Sequence, residues 1–358
     1  MYKKLFTLFI AALFICNISI AKILRVGYPG PQVTGVDYLD ANSAVAAASL
    51  NDTIQIYAGV GASVNPLNKK LVFIGVGYYL DKNIGLQVVT TSSSLGIYMD
   101  SGGNGSTFEG LVINTGIENN PWINVNQMGI QNIIFKRCKI NYAQFYLNNA
   151  GDSIRNITFS QCYFATQNPI NFTASYNTKI IGIYFQNCIF DASSSTYLSA
   201  YNGGIISNIS FENCNGNGST ANGDLTASAY YRNCIFRNEP SGTNNDLFDY
   251  CTFETNYSSH FVTGTSNQFG KLLNDVFSGD VSSGIQWDAT WVLKSGSPAI
   301  GYGRDFRNNP IDAGAYGSVN PYKLSGVPPI PAFYKLTAPS TTVSSNPYTI
   351  TFSVRANN

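Results

Sequence analysis

The phrase aromatic-x-x-Cys recurs six times between residues 135 and 251. It reads IIFKRCKI (133–140), ITFSQCYF (157–164), IYFQNCIF (183–190), ISFENCNG (209–216), AYYRNCIF (229–236) and DLFDYCTF (246–253). The cysteines are Cys138, Cys162, Cys188, Cys214, Cys234 and Cys251, at steps of 24, 26, 26, 20 and 17 residues. Self-similarity at this period means one structural unit stacked on copies of itself.

Within a unit the apolar residues alternate. Ile157 and Phe159 fall on one face and Thr158 on the other, which is the period of a strand. Two polar residues follow, and then Cys162 and Phe164 point inward again. Two short strands joined at a corner cannot bury their inner face alone. Stacked, they wind a parallel solenoid filled by columns of like side chains. One column is Phe135, Phe159, Phe185, Phe211, Tyr231 and Phe248, with the cysteines beside it. GLVIN (110–114) matches the strand part of a unit without the cysteine.

With its corner amides Gln161, Asn187, Asn213 and Asn233, this layout resembles the right-handed parallel β-helix of the pectate-lyase-like superfamily. The expected fold class is therefore all-β, a right-handed parallel β-helix with a short N-terminal capping helix and a docked C-terminal β tail. A segment further on is similar to the closing segment of exported bacterial β-helix proteins. Asn274, Phe277, the Ser297-Pro298-Ala299-Ile300 turn, and Asp312 with Gly314-Ala315-Tyr316 carry that likeness, while Gly301-Tyr302 departs from it. One fold hosts many functions, so the resemblance speaks to architecture.

Residues 1–21 read as a signal peptide. Lys3 and Lys4 precede the apolar run Leu5 to Ile15, and Ser19-Ile20-Ala21 supplies small residues for cleavage. Leu13-Phe14-Ile15 before Cys16 lacks the small residue a lipidated cysteine wants. No other apolar run is long enough to span a bilayer. The expectation is a secreted protein, extracellular, on the cell surface or periplasmic, and monomeric. Removing the leader lowers the 21 basic residues to 19, against 20 acidic ones. So neutral a chain has no electrostatic footprint for nucleic acid.

Six cysteines in an oxidising compartment ordinarily suggest disulfides. Here neighbouring coils sit about 4.8 Å apart with side chains running parallel, which favours a buried column of thiols behaving as small hydrophobes. No histidine accompanies them, so neither a metal site nor a cofactor is expected.

The chain divides into a cap with the first coils (22–80), the β-helix with its closing segment (81–317), a proline-rich linker (318–331) and a C-terminal strand tail (332–358). Asp40 reads as the N-cap of a helix over 41–50 that plugs the open first coil. Residues 69–80 and 86–91 read as further winding. Tyr348, Ile350, Phe352 and Val354 alternate with polar residues as a one-faced strand.

Stacking turns coil positions into surface lines. The residue after the aromatic gives Lys136, Ser160, Gln186, Glu212, Arg232 and Asp249. This reads first as a solvated ladder of alternating charge. Glu212 and Asp249, two coils or roughly 9.6 Å apart, are also the weak candidates for a catalytic carboxylate pair. Arg232 between them would hold both pKa values down and spoil the acid. His260 stands alone in a loop, and Asp246 reads as a corner distortion rather than a calcium site. Tyr163 and Tyr184, at outward positions, are the candidate binding residues, a stacking platform for sugar rings. Tyr142, Tyr146, Tyr176, Tyr197 and Tyr201 lie in connecting segments. The expected function is non-catalytic binding of a polysaccharide, a cell-surface glycan or another surface partner. The alternatives are a polysaccharide lyase or glycoside hydrolase, and a structural envelope protein.

Overall fold

The structure is a computed structural model. It describes residues 21–113, 129–147, 151–166, 169–191, 196–200, 202–216, 229–238, 246–255, 264–281, 287–338 and 349–356. From Ile130 to Phe253 each coil contributes a strand, a tight corner and a two-residue strand. Ser153–Ser160 stacks in parallel on Ile130–Lys136 and on Lys179–Gln186, with Phe159 level with Phe135 and Phe185. With the earlier coils, this builds an 11-stranded parallel sheet and a 9-stranded one of mostly two-residue strands, in which Gly61–Leu67 and Ser94–Met99 are longer. A 3-stranded sheet of Ala143–Leu147, Ile170–Ala174 and Thr196–Ala200 closes the third side over the middle coils. The architecture is a parallel β-helix.

The corner explains the spacing in the sequence. Arg137, Gln161, Asn187, Asn213, Asn233 and Tyr250 all hold positive φ, between 52° and 56°. That left-handed turn rotates the chain from one sheet into the next, and asparagine tolerates it better than other side-chain-bearing residues. The next residue is then the inward cysteine.

The inward columns form as expected, and the aromatic one is longer. Phe73 and Phe108 extend it at the N-terminal end, stacked at 5.2 Å and followed by Phe135 at 5.1 Å. Phe185 lies 5.2 Å from Phe159 and 4.5 Å from Phe211, its ring nearly parallel to both. The six cysteines are buried and form no disulfide among themselves. Each thiol reaches a carbonyl one coil back, as Cys188 does to Phe159 at 3.4 Å. Burial pushes the Cys162, Cys214 and Cys251 thiols up.

At the N-terminal end the helix Ala41–Ala47 covers the first coil with Ala41, Ala44 and Val45. Asp40 caps it, accepting the Ser43 amide at 2.8 Å. The helix is shorter than the expected 41–50 and Leu50 is exposed, because the chain turns away at Ala48 to enter the next strand. Lys69 Nζ donates to the Val45, Ala46 and Ala48 carbonyls and so closes the helix end. Of the winding expected over 69–91, Val72–Ile74 is a strand; 86–91 is not, and the chain next enters a sheet at Ser94–Met99.

After the last coil the chain reverses and runs back along the outside. Its contacts move steadily toward the N-terminal end. Asn233 Nδ2 donates to the Arg304 carbonyl, and Asn187 Nδ2 to those of Ala315 and Gly317. Gln161 Nε2 then meets the Asn320 and Pro321 carbonyls, and Arg137 Nη1 meets that of Val327. The corner amides thus bind a returning strap. At Gly326 the strap comes close to the solenoid: at φ 53° a Cβ there would sit 2.3 Å from the Arg137 carbonyl oxygen. Residues 318–331 lie along the solenoid, with Ser325 and Val327 buried.

The closing segment and strap cover the outer face of the short-strand sheet. Tyr163, Ile189 and Ile235 join Trp291, Ala299, Ala313, Ala315 and Tyr322 in a second hydrophobic cluster. Within it Asp288 is fully buried, accepting from Asn83 Nδ2 and the Ser325 amide, and from the Tyr322 hydroxyl at 3.3 Å. Beyond the strap, Ala332–Thr337 and Thr351–Arg355 pair as an antiparallel hairpin. The tail touches the cap region where Val88 donates to the Phe333 carbonyl and Arg355 donates to those of Gly85 and Leu86. Ile350, Phe352 and Val354 remain about half exposed or more.

Candidate binding cleft

Between the strap and the solenoid lies an open cleft of about 510 Å³. One wall is the line Lys136, Ser160, Gln186 and Glu212, with the corner residues Arg137, Gln161, Asn187 and Asn213 behind it. The other wall is Ser318, Val319, Asn320, Pro321 and Lys323 of the strap. Four consecutive coils line it, so it runs about 14 Å along the solenoid axis.

The register is the one read from the sequence: Lys136 is level with Ser160, that with Gln186, and Gln186 with Glu212. Glu212 is in turn level with Arg232, and Arg232 with Asp249. The charge ladder does not close. Arg232 Nη2 donates to the Asp305 carbonyl at 2.7 Å, and among the described residues no ion pair joins it to Glu212 or Asp249. Asp249 accepts the Thr265 amide at 2.9 Å, the Thr265 hydroxyl at 3.0 Å and the Tyr230 hydroxyl at 3.1 Å. It lies outside the cleft, which Glu212 lines without it.

At the other end Glu109 lies 3.7 Å from both Lys136 Nζ and Arg137 Nε. Burial lowers the Arg137 pKa, and the Glu109 carboxylate opposes that shift. The cleft is thus lined mostly by amides and hydroxyls, with basic groups at one end and one carboxylate at the other.

The expected tyrosine platform needs correction. Tyr163 is fully buried, its ring 5.3 Å from Tyr79 and 6.3 Å from Tyr78. Alternation correctly turns Tyr163 away from the coil interior, but the closing segment then covers that face. Tyr184 sits on the other sheet, half-buried, with its hydroxyl accepting from Asn208 Nδ2 at 2.8 Å. The two rings belong to different faces and cannot form one stacking surface. Tyr201 and His260 lie outside the described residues, as do the side chains of Tyr146 and Tyr197. Asp246 is buried and accepts the Ala229 amide at 2.8 Å, a structural contact. No group of three or more potential metal ligands occurs among the described residues.

Sequence reasoning missed the strap wall and the cleft it makes with the corner column. The corner column was legible, but nothing local tells which stretch of a distant segment will lie against it.

This topology places the chain among parallel β-helix proteins. It is similar to pectate lyase Pel9A, with 13% identity and a TM-score of 0.35, over 84% of this chain and 97% of that one. It is also similar to a tailspike protein of the Acinetobacter baumannii bacteriophage Fri1, a capsular polysaccharide depolymerase. There the identity is 14% and the TM-score 0.30, over 68% of this chain and 58% of the tailspike. No protein-family model and no curated protein sequence matches the chain. Among the described residues no helix is long and apolar enough to cross a membrane.

Proposed function

We propose that the chain is an exported or cell-surface β-helix protein that binds a glycan in the cleft on its flank without cleaving it. The observation that carries this reading is the lining. Gln186, Asn213 and Asn320, with Ser160, line the cleft with amides and a hydroxyl that the strap contacts leave free, while Gln161, Asn187 and Ser318 are engaged in holding the strap. Such groups both donate and accept, which is what a polyhydroxylated ligand requires. The exposed Val319 gives the rim an apolar contact. Affinity then comes from several modest contacts along the groove.

A lyase or hydrolase reading draws on one observation, the unpartnered Glu212 carboxylate in the cleft. It has little further support, because Asp249 is occupied by Thr265 and Tyr230. The test is a panel of acidic, neutral and host-type polysaccharides, scored for retention and for cleavage. Retention without product supports binding. Cleavage that disappears with Glu212→Gln overturns the reading in favour of an enzyme. Neither retention nor cleavage points to a structural envelope role.

A further inference from the structure

The C-terminal hairpin has one apolar face, and that face is bare. In the pairing of Ala332–Thr337 with Thr351–Arg355, Phe333 is level with Val354 and Leu336 with Phe352. A bulge at Tyr334 keeps these four on one side, with Phe333 and Phe352 edge to face at 5.6 Å. Ile350 continues the row by alternation. Lys335 with Ser353 and Thr337 with Thr351 occupy the other side. The five apolar residues are between 47% and 60% exposed.

Two strands alone are at best marginally stable in water, and an apolar face of this kind needs something packed on it. Neither hydrophobic cluster of the described residues includes a hairpin side chain. The bonds from Val88 to the Phe333 carbonyl and from Arg355 to Gly85 and Leu86 hold the hairpin's margin and leave its face open.

The area and the charge say what covers it. At roughly 200 Å² for each fully exposed side chain of this size, the five leave on the order of 500 Å² of apolar surface. Two such faces laid together bury about 1,000 Å², the lower limit for a biological interface. A two-fold interface sets a patch against its own copy, so a charge on it would meet its like. None of the five is charged, and Lys335 and Arg355 alternate to the other side. The face also offers no side-chain donor or acceptor to a sugar chain. We infer that the chain forms a two-fold dimer in which the C-terminal hairpins of two copies stack apolar face on apolar face. The sequence alone led to the expectation of a monomer, and this face argues against it. The inference is independent of the glycan reading; the dimer presents two clefts and so adds avidity for any polymer they bind.

The experiment sediments the chain from residue 22, the form expected after export, to equilibrium beside its Leu336→Thr/Phe352→Thr variant. Threonine keeps strand propensity and removes the apolar face. The wild type is expected to dimerise with a dissociation constant on the order of 10 µM, and the variant at least about tenfold more weakly. The melting temperature of the solenoid should not change, because the hairpin lies outside both clusters. To separate loss of the face from loss of the hairpin, Val354→Cys and Ser353→Cys place a thiol on the apolar and polar sides. The six cysteines of the column are buried and do not compete. A bismaleimide long enough to span two stacked sheets, but not their outer sides, should link Val354→Cys chains in pairs and leave Ser353→Cys chains single. Equal linking of both, or of neither, overturns the stacking. A wild type that stays monomeric at about 200 µM overturns the dimer, as does a dimer that survives the double substitution. A monomer that floats with vesicles of phosphatidylglycerol and phosphatidylcholine assigns the face to lipid and overturns it too.

Discussion

The Asn187 side-chain amide donates to the carbonyl of Ala315 at 2.9 Å, across 128 residues of chain. It donates to Gly317 as well, at 3.0 Å, so one corner asparagine holds two carbonyls of the strap. The cleft wall is fixed to the solenoid by contacts of this kind. Replacing Asn187 by glycine keeps the corner but leaves both carbonyls without their donor. The expected cost is about 2–3 kcal/mol in urea unfolding. Asn213→Gly, where no such bond exists, should cost far less, and equal losses would contradict the role of the corner amides in holding the strap.

Phe185→Ala removes a ring stacked on both sides, 5.2 Å from Phe159 and 4.5 Å from Phe211. A loss of about 3–5 kcal/mol is expected, because rigid neighbouring coils cannot collapse into the space. An unchanged melting temperature would mean the register is wrong.

Tyr163 and Tyr184 should now behave differently. Tyr163→Ala empties a buried site between coil and closing segment, with a loss of about 3 kcal/mol or more. Tyr184→Ala removes a half-exposed ring and one hydroxyl contact, and should cost about 1 kcal/mol or less. Thermal melts of the two single variants decide this.

The column of thiols should be inert. Cys138, Cys162, Cys188, Cys214, Cys234 and Cys251 are all fully buried, so a thiol reagent should label them only after denaturation. A native mass corresponding to disulfides would contradict this.

Burial pushes the Asp288 carboxyl up to about 6 from 3.8, although Ser325, Asn83 and Tyr322 donate to it. The folded state therefore holds this proton more tightly than the unfolded chain does. Above pH 6 the ionised group costs stability, on the order of 3 kcal/mol, and the cost is relieved as pH falls toward 4. Lys139, Asp191 and Asp81 lie near the same buried cluster, so the single group must be isolated by comparison. Relative to Asp288→Asn, wild-type stability should rise between pH 7.5 and 4.5. A flat difference would show that Asp288 does not titrate there.

The coil was legible in the sequence because its parts are local. Alternation at Ile157–Phe159, the corner residue and the inward cysteine all lie within eight residues, and the period repeats them. The strap was not, because its position depends on contacts such as Asn187 with Ala315 that no local pattern encodes. One signal was present. Tyr163-Phe164, Ile189-Phe190 and Ile235-Phe236 are apolar at both positions, which marks strands covered on both faces. Read that way, Tyr163 would have been placed under cover and the outward-platform expectation dropped. The cleft needed both walls to be seen.

The most direct test is a crystal structure of the chain soaked with an oligosaccharide from whichever polysaccharide it retains. Sugar density is expected between the strap at 318–323 and the line Lys136, Ser160, Gln186 and Glu212. Density on another flank, such as the third-sheet face carrying Gln144 and Asn171, with the cleft empty of sugar, would contradict the cleft as the binding site.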